Sequence, residues 1–540
     1  MKHSSAQANE GTNGIDAARE RMEALYGENH EITGGDYDRS LAVKCINGTF
    51  VGQRSGDVIA YRGIPYVGHQ PVEEYRWKAP VECTPDDGVY EAHYFGRIPC
   101  QMGNIMQIGS LYPTSEACLY LNVWKHAEES TEKKPVIVWI HGGAFEIGST
   151  AEPREEGTAY VQENPDIVFA SIEYRLGVFG FFHLSHLEDG ADYPDAQNLG
   201  IMDQMMALKW IHDNIAAFGG DPENVTIIGE SAGACSVCLL PLIEGSHRYF
   251  RHVIAESGTP LFTRSVEEAI GCTDELMDSL GCKTVADLKE LDAETLVKAA
   301  SVIAMRVWAE RDGNYLPLDP FAEYVNGAAK DIDILLGCNK DELGFMAYNI
   351  GAENCNALTA DGKAQLMTQL TVEERALIES FCENAGDVTP EYSAENRFFD
   401  QIVFIAPMFR LSESQALGGG RAYAYFFTPE SSVPLMRCAH TMEINTVFNH
   451  PEETFMTGRR LDETFSKTLR RMWIQFAKIG DPSLAADISP DGQEKVWPMY
   501  DLKNKYVMLL DEFNIHPEKE TGSKIVDWDR TSFMTKYYFF

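Results

Sequence analysis

The sequence predicts an α/β protein built on a large central, mostly parallel, twisted sheet flanked by helices. Three observations predict it. Short apolar runs rich in β-branched residues recur from residue 119 onward, with helical runs between many of them. Several of these runs are apolar throughout, as strands covered on both faces must be. One of them, residues 225–228, enters the small-residue turn Gly229-Glu230-Ser231-Ala232-Gly233 and continues as a helix-compatible run over 234–240.

Taken in order, residues 1–38 are polar and rich in Glu, Asp, Gly and Asn, and read as a mobile acidic leader with one helix near 17–25. Residues 41–45 and 49–51 flank Asn47-Gly48, a hairpin signal, and 57–61 is a second hairpin-like segment, so antiparallel hairpins are expected before the sheet. The sheet strands are expected at 119–124, 136–140, 167–172, 225–228, 252–255, 332–336 and 422–427. A helix over 201–218 places Met205, Leu208, Ile211 and Ile215 near helical spacing and ends at Gly219-Gly220. Another, over 465–478, is stopped by Gly480-Asp481-Pro482. Residues 262–325 and 350–420 are mostly helical and less regular, and read as insertions that cap one edge of the sheet. With no internal repeat and no low-complexity linker, residues 39–540 read as a single domain.

Composition narrows the function. The 540 residues carry 82 acidic against 45 basic side chains, a net charge of −37. That balance argues against nucleic acid and anionic membranes as partners. No apolar run approaches the ~20 residues that span a bilayer. The first 40 residues lack the apolar core of a secretory signal, so a cytoplasmic location is expected. The twelve cysteines show no metal-site spacing. Cys235 and Cys238, in a C-x-x-C on the helix after the serine turn, read as small core residues. No metal or organic cofactor is called for.

The chemistry centres on Ser231. In G-x-S-x-G a strand reverses sharply into a helix, glycines stand where side chains have no room, and the serine Oγ is exposed at the tip of a strained turn. An isolated match is also met as a glycine-rich turn with a serine N-cap. Here the flanks are a strand and a helix, which favours a nucleophile. A serine nucleophile needs a base, an acid to hold the base's tautomer, and donors for the oxyanion. His141-Gly142-Gly143-Ala144-Phe145 follows the strand at 136–140, and its two glycines let backbone N–H groups approach a substrate carbonyl. Gly142 and Gly143, with Ala232 after the nucleophile, are the candidate oxyanion donors. Of the histidines after Ser231, His247 and His252 come too early to follow an acid in chain order. His440, in a loop after the strand at 422–427, is the candidate base, in preference to His450 and His516. For the acid, Glu342 and its neighbour Asp341, after the strand at 332–336, are nearly equal on this reasoning.

At this point the chain resembles the type-B carboxylesterases, the family of para-nitrobenzyl esterases and cholinesterases, from about residue 41 to residue 511. The resemblance rests on Tyr61-Arg-Gly-Ile-Pro-Tyr66, Arg76-Trp77-Lys78-Ala-Pro80, Cys118-Leu-Tyr-Leu-Asn122, the glycine loop at His141, Tyr174-Arg175-Leu-Gly177, Asn198 to Gln204, Phe218 to Pro222, the serine turn, Lys340-Asp-Glu342 and Phe476 to Pro482. It implies an α/β-hydrolase fold and a serine carboxylesterase with the triad Ser231, Glu342 and His440. It places the acid on Glu342 rather than Asp341, and implies a supporting serine at Ser257 and a carboxylate near the site at Glu230. It implies small-molecule ester substrates and an acyl-enzyme intermediate. Amides, carbamates or lactones as substrates form the alternative, and a non-catalytic binding relative is disfavoured because all three triad residues are present. Cys100 with Cys118, and Cys272 with Cys282, match positions bonded in secreted relatives, and are expected as thiols in a cytoplasmic protein. The chain departs from the family at Leu343, Ala117 and Glu173, where glycine, aspartate and asparagine are usual. The segment between Cys100 and Cys118 has no Trp, which argues against choline esters. Phe145, Phe345 and Met346 are read as pocket walls, and Met102, Met106 and Tyr112 as the entrance.

Overall fold

The computed structural model describes residues 22–103, 112–128 and 130–519. The chain divides into two compact units, one of residues 1–253 and 262–320, the other of residues 254–261 and 321–540.

In the first unit the sheet strands are β1 (Gln53–Ser55), β2 (Val58–Pro65), β3 (Tyr120–His126), β4 (Lys134–Ile140), β5 (Val168–Ile172) and β6 (Gly220–Glu230). Their order is β6-β4-β5-β3-β2-β1. β4 pairs in parallel with both β5 and β6, whereas β3 runs antiparallel to β5 and β2. Val136 to Ile140 on β4 are all fully buried, which explains the unbroken apolar run: a central parallel strand has no wet face. Helix α1 (Leu199–Asn214) ends in a 3-10 turn to Phe218, and Gly219 closes it in the left-handed conformation at φ 88°. Helix α2 (Ala232–Leu239) follows β6 after one residue, Ser231, and is buried along its whole length.

In the second unit the order is β7-β8-β9-β10-β11, with β7 (His252–Glu256), β8 (Asp333–Asn339), β9 (Ala422–Phe427), β10 (Tyr506–Asp511) and β11 (Asn514–Lys519). β7 carries the chain from the first unit into the second. β8, β9 and β10 pair in parallel, and β11 turns back against β10. Helix α3 (Glu463–Ile479) is capped by Asp462, whose side chain accepts from Phe465 N–H, and ends at Gly480 with φ 70°.

Three local readings change. The hairpin from Ala42–Cys45 to Asn47–Val51 pairs Cys45 with Gly48, so its tight turn is Ile46-Asn47, one residue earlier than the Asn-Gly signal suggests. The edge strand β11 has no sequence signal, because Asn514, His516, Pro517, Glu518 and Lys519 are not strand formers, and pairing with the apolar β10 imposes the conformation. The described part of the leader, read from sequence as polar and without partners, is packed within the first unit. Met22 is fully buried, Tyr26 and Glu31 bridge to Phe95 and Tyr90, and the Asn29 amide donates to the Arg62 and Tyr94 carbonyls and accepts from His93 and Tyr94 N–H. A polar composition hides such docking, since one asparagine satisfies four backbone groups. Most of the helix expected at 17–25, and Met106, lie outside the described residues. Residues 262–325 and 350–420 contain several helices, among them Val266–Leu280, Ala352–Gln369 and Ala406–Leu417. Among the described residues no helix is long and apolar enough to cross a membrane.

Candidate active site

Ser231, Ala232, Glu230, Gly142 and Gly143 lie in the first unit; Ser257, Glu342 and His440 lie in the second. Each group has its own internal geometry.

Ser231 is held at φ 56°, ψ −118°, between the end of β6 and the first turn of α2. A non-glycine residue adopts this region only under strain that its surroundings sustain. They do so by close approach: a Cβ on Gly233 overlaps the Ile140 carbonyl, and one on Gly229 overlaps the Gly233 backbone. The Ser231 carbonyl accepts from Cys235 N–H at 2.9 Å and starts the helix, so Ala232 N–H, at its first position, has no intrahelical acceptor. The glycine loop sits against this turn. A Cβ on Gly142 stands 3.2 Å from Ser231 Cβ and 2.7 Å from the Glu230 carbonyl. Positive φ at Gly143, Ala144 and Phe145 (105°, 56°, 61°) turns the loop so that Glu146 and Ile147 N–H both donate to the Gly143 carbonyl. Glu230 is buried beneath the turn with Oε2 near Gly142.

His141 is completely buried under this loop. Its Nδ1 stands 2.9 Å from the Gly142 carbonyl, its Nε2 3.4 Å from Glu173 Oε2, and its ring stacks on Tyr174 at 4.5 Å. Burial pushes the imidazole pKa down, but Glu173 and the Gly142 carbonyl outweigh it, and the net shift is upward. The other Glu173 oxygen accepts from Thr150 N–H and Oγ1–H, both at 2.8 Å. The glutamate that departs from the usual asparagine is therefore the counter-charge of the loop histidine.

In the second unit the His440 ring turns Nδ1 to Glu342 Oε2 at 2.7 Å. With a carboxylate as partner Nδ1 carries the proton, which leaves Nε2 as an acceptor. Glu342 Oε1 accepts from Ser257 Oγ–H and from Asn339 N–H, both at 2.7 Å. Asp341, the competing acid, points elsewhere: Arg397 and Arg437 pair with its Oδ1 at 2.5 and 3.3 Å. Leu343, in place of the family glycine, donates its N–H to Asp400 at 3.1 Å, so the backbone stays anchored without the glycine.

Sequence reasoning missed two neighbours. Glu443, three residues after His440, takes the Asn339 amide at 2.6 Å and lies 3.5 Å from Ser257 Oγ. Burial and the adjacent Glu342 raise its pKa to about 7. Phe404, in a π-helical turn (Gln401–Ile405), stands 4.9 Å from the His440 ring. The H-x-x-E spacing was the available signal for Glu443; nothing local marks Phe404. Of the expected pocket walls, Phe345 lies 5.9 Å from the His440 ring, whereas Phe145 is wholly buried against Phe181 and belongs to the core. Tyr112 stacks on Tyr26 at 4.1 Å, and Met102 is half exposed. None of the twelve cysteines is disulfide-bonded, and Cys235 and Cys238 are fully buried.

A strained serine between a parallel strand and a helix, beside a double-glycine loop, has the geometry of the strand-to-helix turn found in α/β hydrolases. The comparisons agree. The carboxylesterase family model matches residues 39–524. Para-nitrobenzyl esterase of Bacillus subtilis (strain 168) is 30% identical over 500 residues, 88% of this chain and 97% of that one. Mouse (Mus musculus) cholinesterase is 28% identical over 90% of this chain and 85% of its own. A crystal structure of a Geobacillus stearothermophilus carboxylesterase superposes with a TM-score of 0.78 at 32% identity, covering 89% of this chain and 98% of that one. The chain belongs to the carboxylesterase family, with the α/β-hydrolase fold, and is an enzyme of the carboxylic-ester hydrolase class.

Proposed function

We propose that the protein hydrolyses small-molecule carboxylic esters through a Ser231–His440–Glu342 triad and an acyl-enzyme. The observation that carries this reading is the Glu342–His440 pair at 2.7 Å, whose tautomer leaves Nε2 as the base. Ser231 Oγ attacks the ester carbonyl as His440 Nε2 takes its proton. Glu342, fixed by Ser257 and the Asn339 amide, stabilises the imidazolium without taking the proton. The N–H groups of Gly142, Gly143 and Ala232 receive the oxyanion. His440 then protonates the leaving alcohol, and water attacks the acyl-enzyme by the same route in reverse.

The strained Ser231 backbone and the close approach of Gly142 support the nucleophile and donor assignments. The test is a panel of p-nitrophenyl esters of rising acyl length, with Ser231→Ala as control and an organophosphonate to map the nucleophile. Turnover lost in the variant, with the label on Ser231, is the expected result. Label elsewhere with turnover intact overturns the assignment. Acyl-matched anilides turned over faster than aryl esters would favour amide chemistry instead.

A further inference from the structure

The first unit contains a second serine–histidine–carboxylate row that the triad above does not use. Ser185 Oγ lies 3.1 Å from His183 Nε2, and His183 Nδ1 lies 2.8 Å from Glu310 Oε2. Ser185 is exposed, His183 is buried, and Glu310 is only 1% exposed. We propose that Ser185, His183 and Glu310 form a second nucleophilic site that takes acyl groups from activated carboxylic esters in solution.

The backbones of His183 and Glu310 are both anchored by further hydrogen bonds. The Glu310 N–H donates to the Asn198 side-chain carbonyl at 2.8 Å, and the Asn198 amide returns a bond to the Glu310 carbonyl at 2.9 Å. The His183 carbonyl accepts from Thr273 Oγ–H at 2.9 Å. Ser185 and His186 are the central pair of a turn closed by Leu187 N–H to the Leu184 carbonyl at 3.0 Å, a closure that does not use their own amides. Such rows are recognised by geometry and role rather than by chain position. Here the carboxylate fixes the imidazole so that Nδ1 carries the proton and Nε2 faces the hydroxyl.

The chemistry is balanced without a cofactor. Ser185 Oγ forms a bond to the ester carbonyl carbon while His183 Nε2 takes the hydroxyl proton. Collapse of the tetrahedral adduct breaks the carbon–oxygen bond to the leaving group, which departs as the phenolate. The proton passes from His183 to solvent, and Ser185 is left acylated. Burying a carboxylate is costly unless it has a charged or donating partner. Glu310 Oε2, 2.8 Å from His183 Nδ1, steadies the imidazolium formed in this step, and the Arg264 guanidinium also interacts electrostatically with Glu310.

The site is tested in the full-length Ser231→Ala chain, so that loss of the proposed esterase triad does not affect the readout. The chain is treated with p-nitrophenyl acetate and digested, and acetylated residues are located by peptide mass spectrometry. The expected result is acetyl on Ser185 at least about tenfold faster than on any other exposed serine. His183→Gln and Glu310→Gln should slow it, by on the order of 10²-fold where the general base is removed. Acetylation of Ser185 no faster than that of other exposed serines overturns the proposal, even if the buried variants fail to fold. Rapid acetylation that persists in a folded His183→Gln chain overturns it equally.

Discussion

Replacing Glu173 with glutamine removes the counter-charge of His141 while keeping the shape that receives the two Thr150 donors. In the native chain the His141 pKa is shifted upward, so its protonated form is favoured by folding. A group whose folded pKa lies above its unfolded value, about 6.5 for histidine, contributes stability that is complete below that value. The contribution is lost as pH rises through the folded value. In Glu173→Gln, burial acts without its main opponent and the folded pKa falls, so folding no longer favours the protonated form to the same extent. The difference between the two chains is therefore smallest at pH 8 and grows on acidification. Its limit is about 1.4 kcal/mol per pH unit, or about 2.7 kcal/mol between pH 8 and pH 6. At roughly 2 °C per kcal/mol for a unit of this size, Tm values that nearly agree at pH 8 separate by up to about 5 °C at pH 6. Calorimetric scans of both proteins at pH 6, 7 and 8 measure this. A Tm gap that is constant with pH, or that closes on acidification, refutes the ion pair beneath the glycine loop. Because the loop amides remain in place, kcat should fall by less than the 10²–10³ ascribed to one oxyanion donor.

Other consequences are simpler. Ser257→Ala deletes one of the two donors on Glu342 Oε1 and should lower kcat on p-nitrophenyl esters with little change in KM, while removing a charge-assisted bond of about 1.5–3 kcal/mol measurable by denaturation. Glu443, with its folded pKa near 7 above an unfolded value near 4.5, contributes stability below pH 4.5 that disappears as pH rises through 7. Glu443→Gln should therefore flatten the fall in Tm between pH 5 and pH 8. Gly233→Ala places a Cβ inside the Ile140 carbonyl, so the variant should show neither soluble expression nor organophosphonate labelling at native levels. In the native protein, Cys83, Cys282 and Cys382 should react with a thiol reagent before Cys235 or Cys238, whose burial pushes both thiols up and shields them.

The parts of the chain that could be read in advance are those whose physics is local. The serine turn is legible because its glycine spacing is contained in five residues, although the atom that leaves Gly233 no room for a Cβ is the Ile140 carbonyl on the neighbouring strand. Strand β4 is legible because a doubly covered strand admits only apolar side chains, and α1 because its period and Gly219 stop signal lie within its own length. Edge strand β11 and the docked segment around Asn29 were not legible, since each takes its conformation from a distant partner.

The sequence by itself determined the fold class, the family and the strand-to-helix serine turn, since these rest on ordered landmarks and on a residue pattern contained in a few positions. Tertiary structure decided which of two adjacent carboxylates faces His440. Arg397 and Arg437, far along the chain, hold Asp341, while Ser257 and Asn339 aim Glu342. It also decided that Glu173 is the partner of His141, and that Ser185, His183 and Glu310 stand in one row. Hydrogen bonds and ion pairs of this kind depend on where the folded backbone places their donors and acceptors, and spacing along the chain carries no record of that.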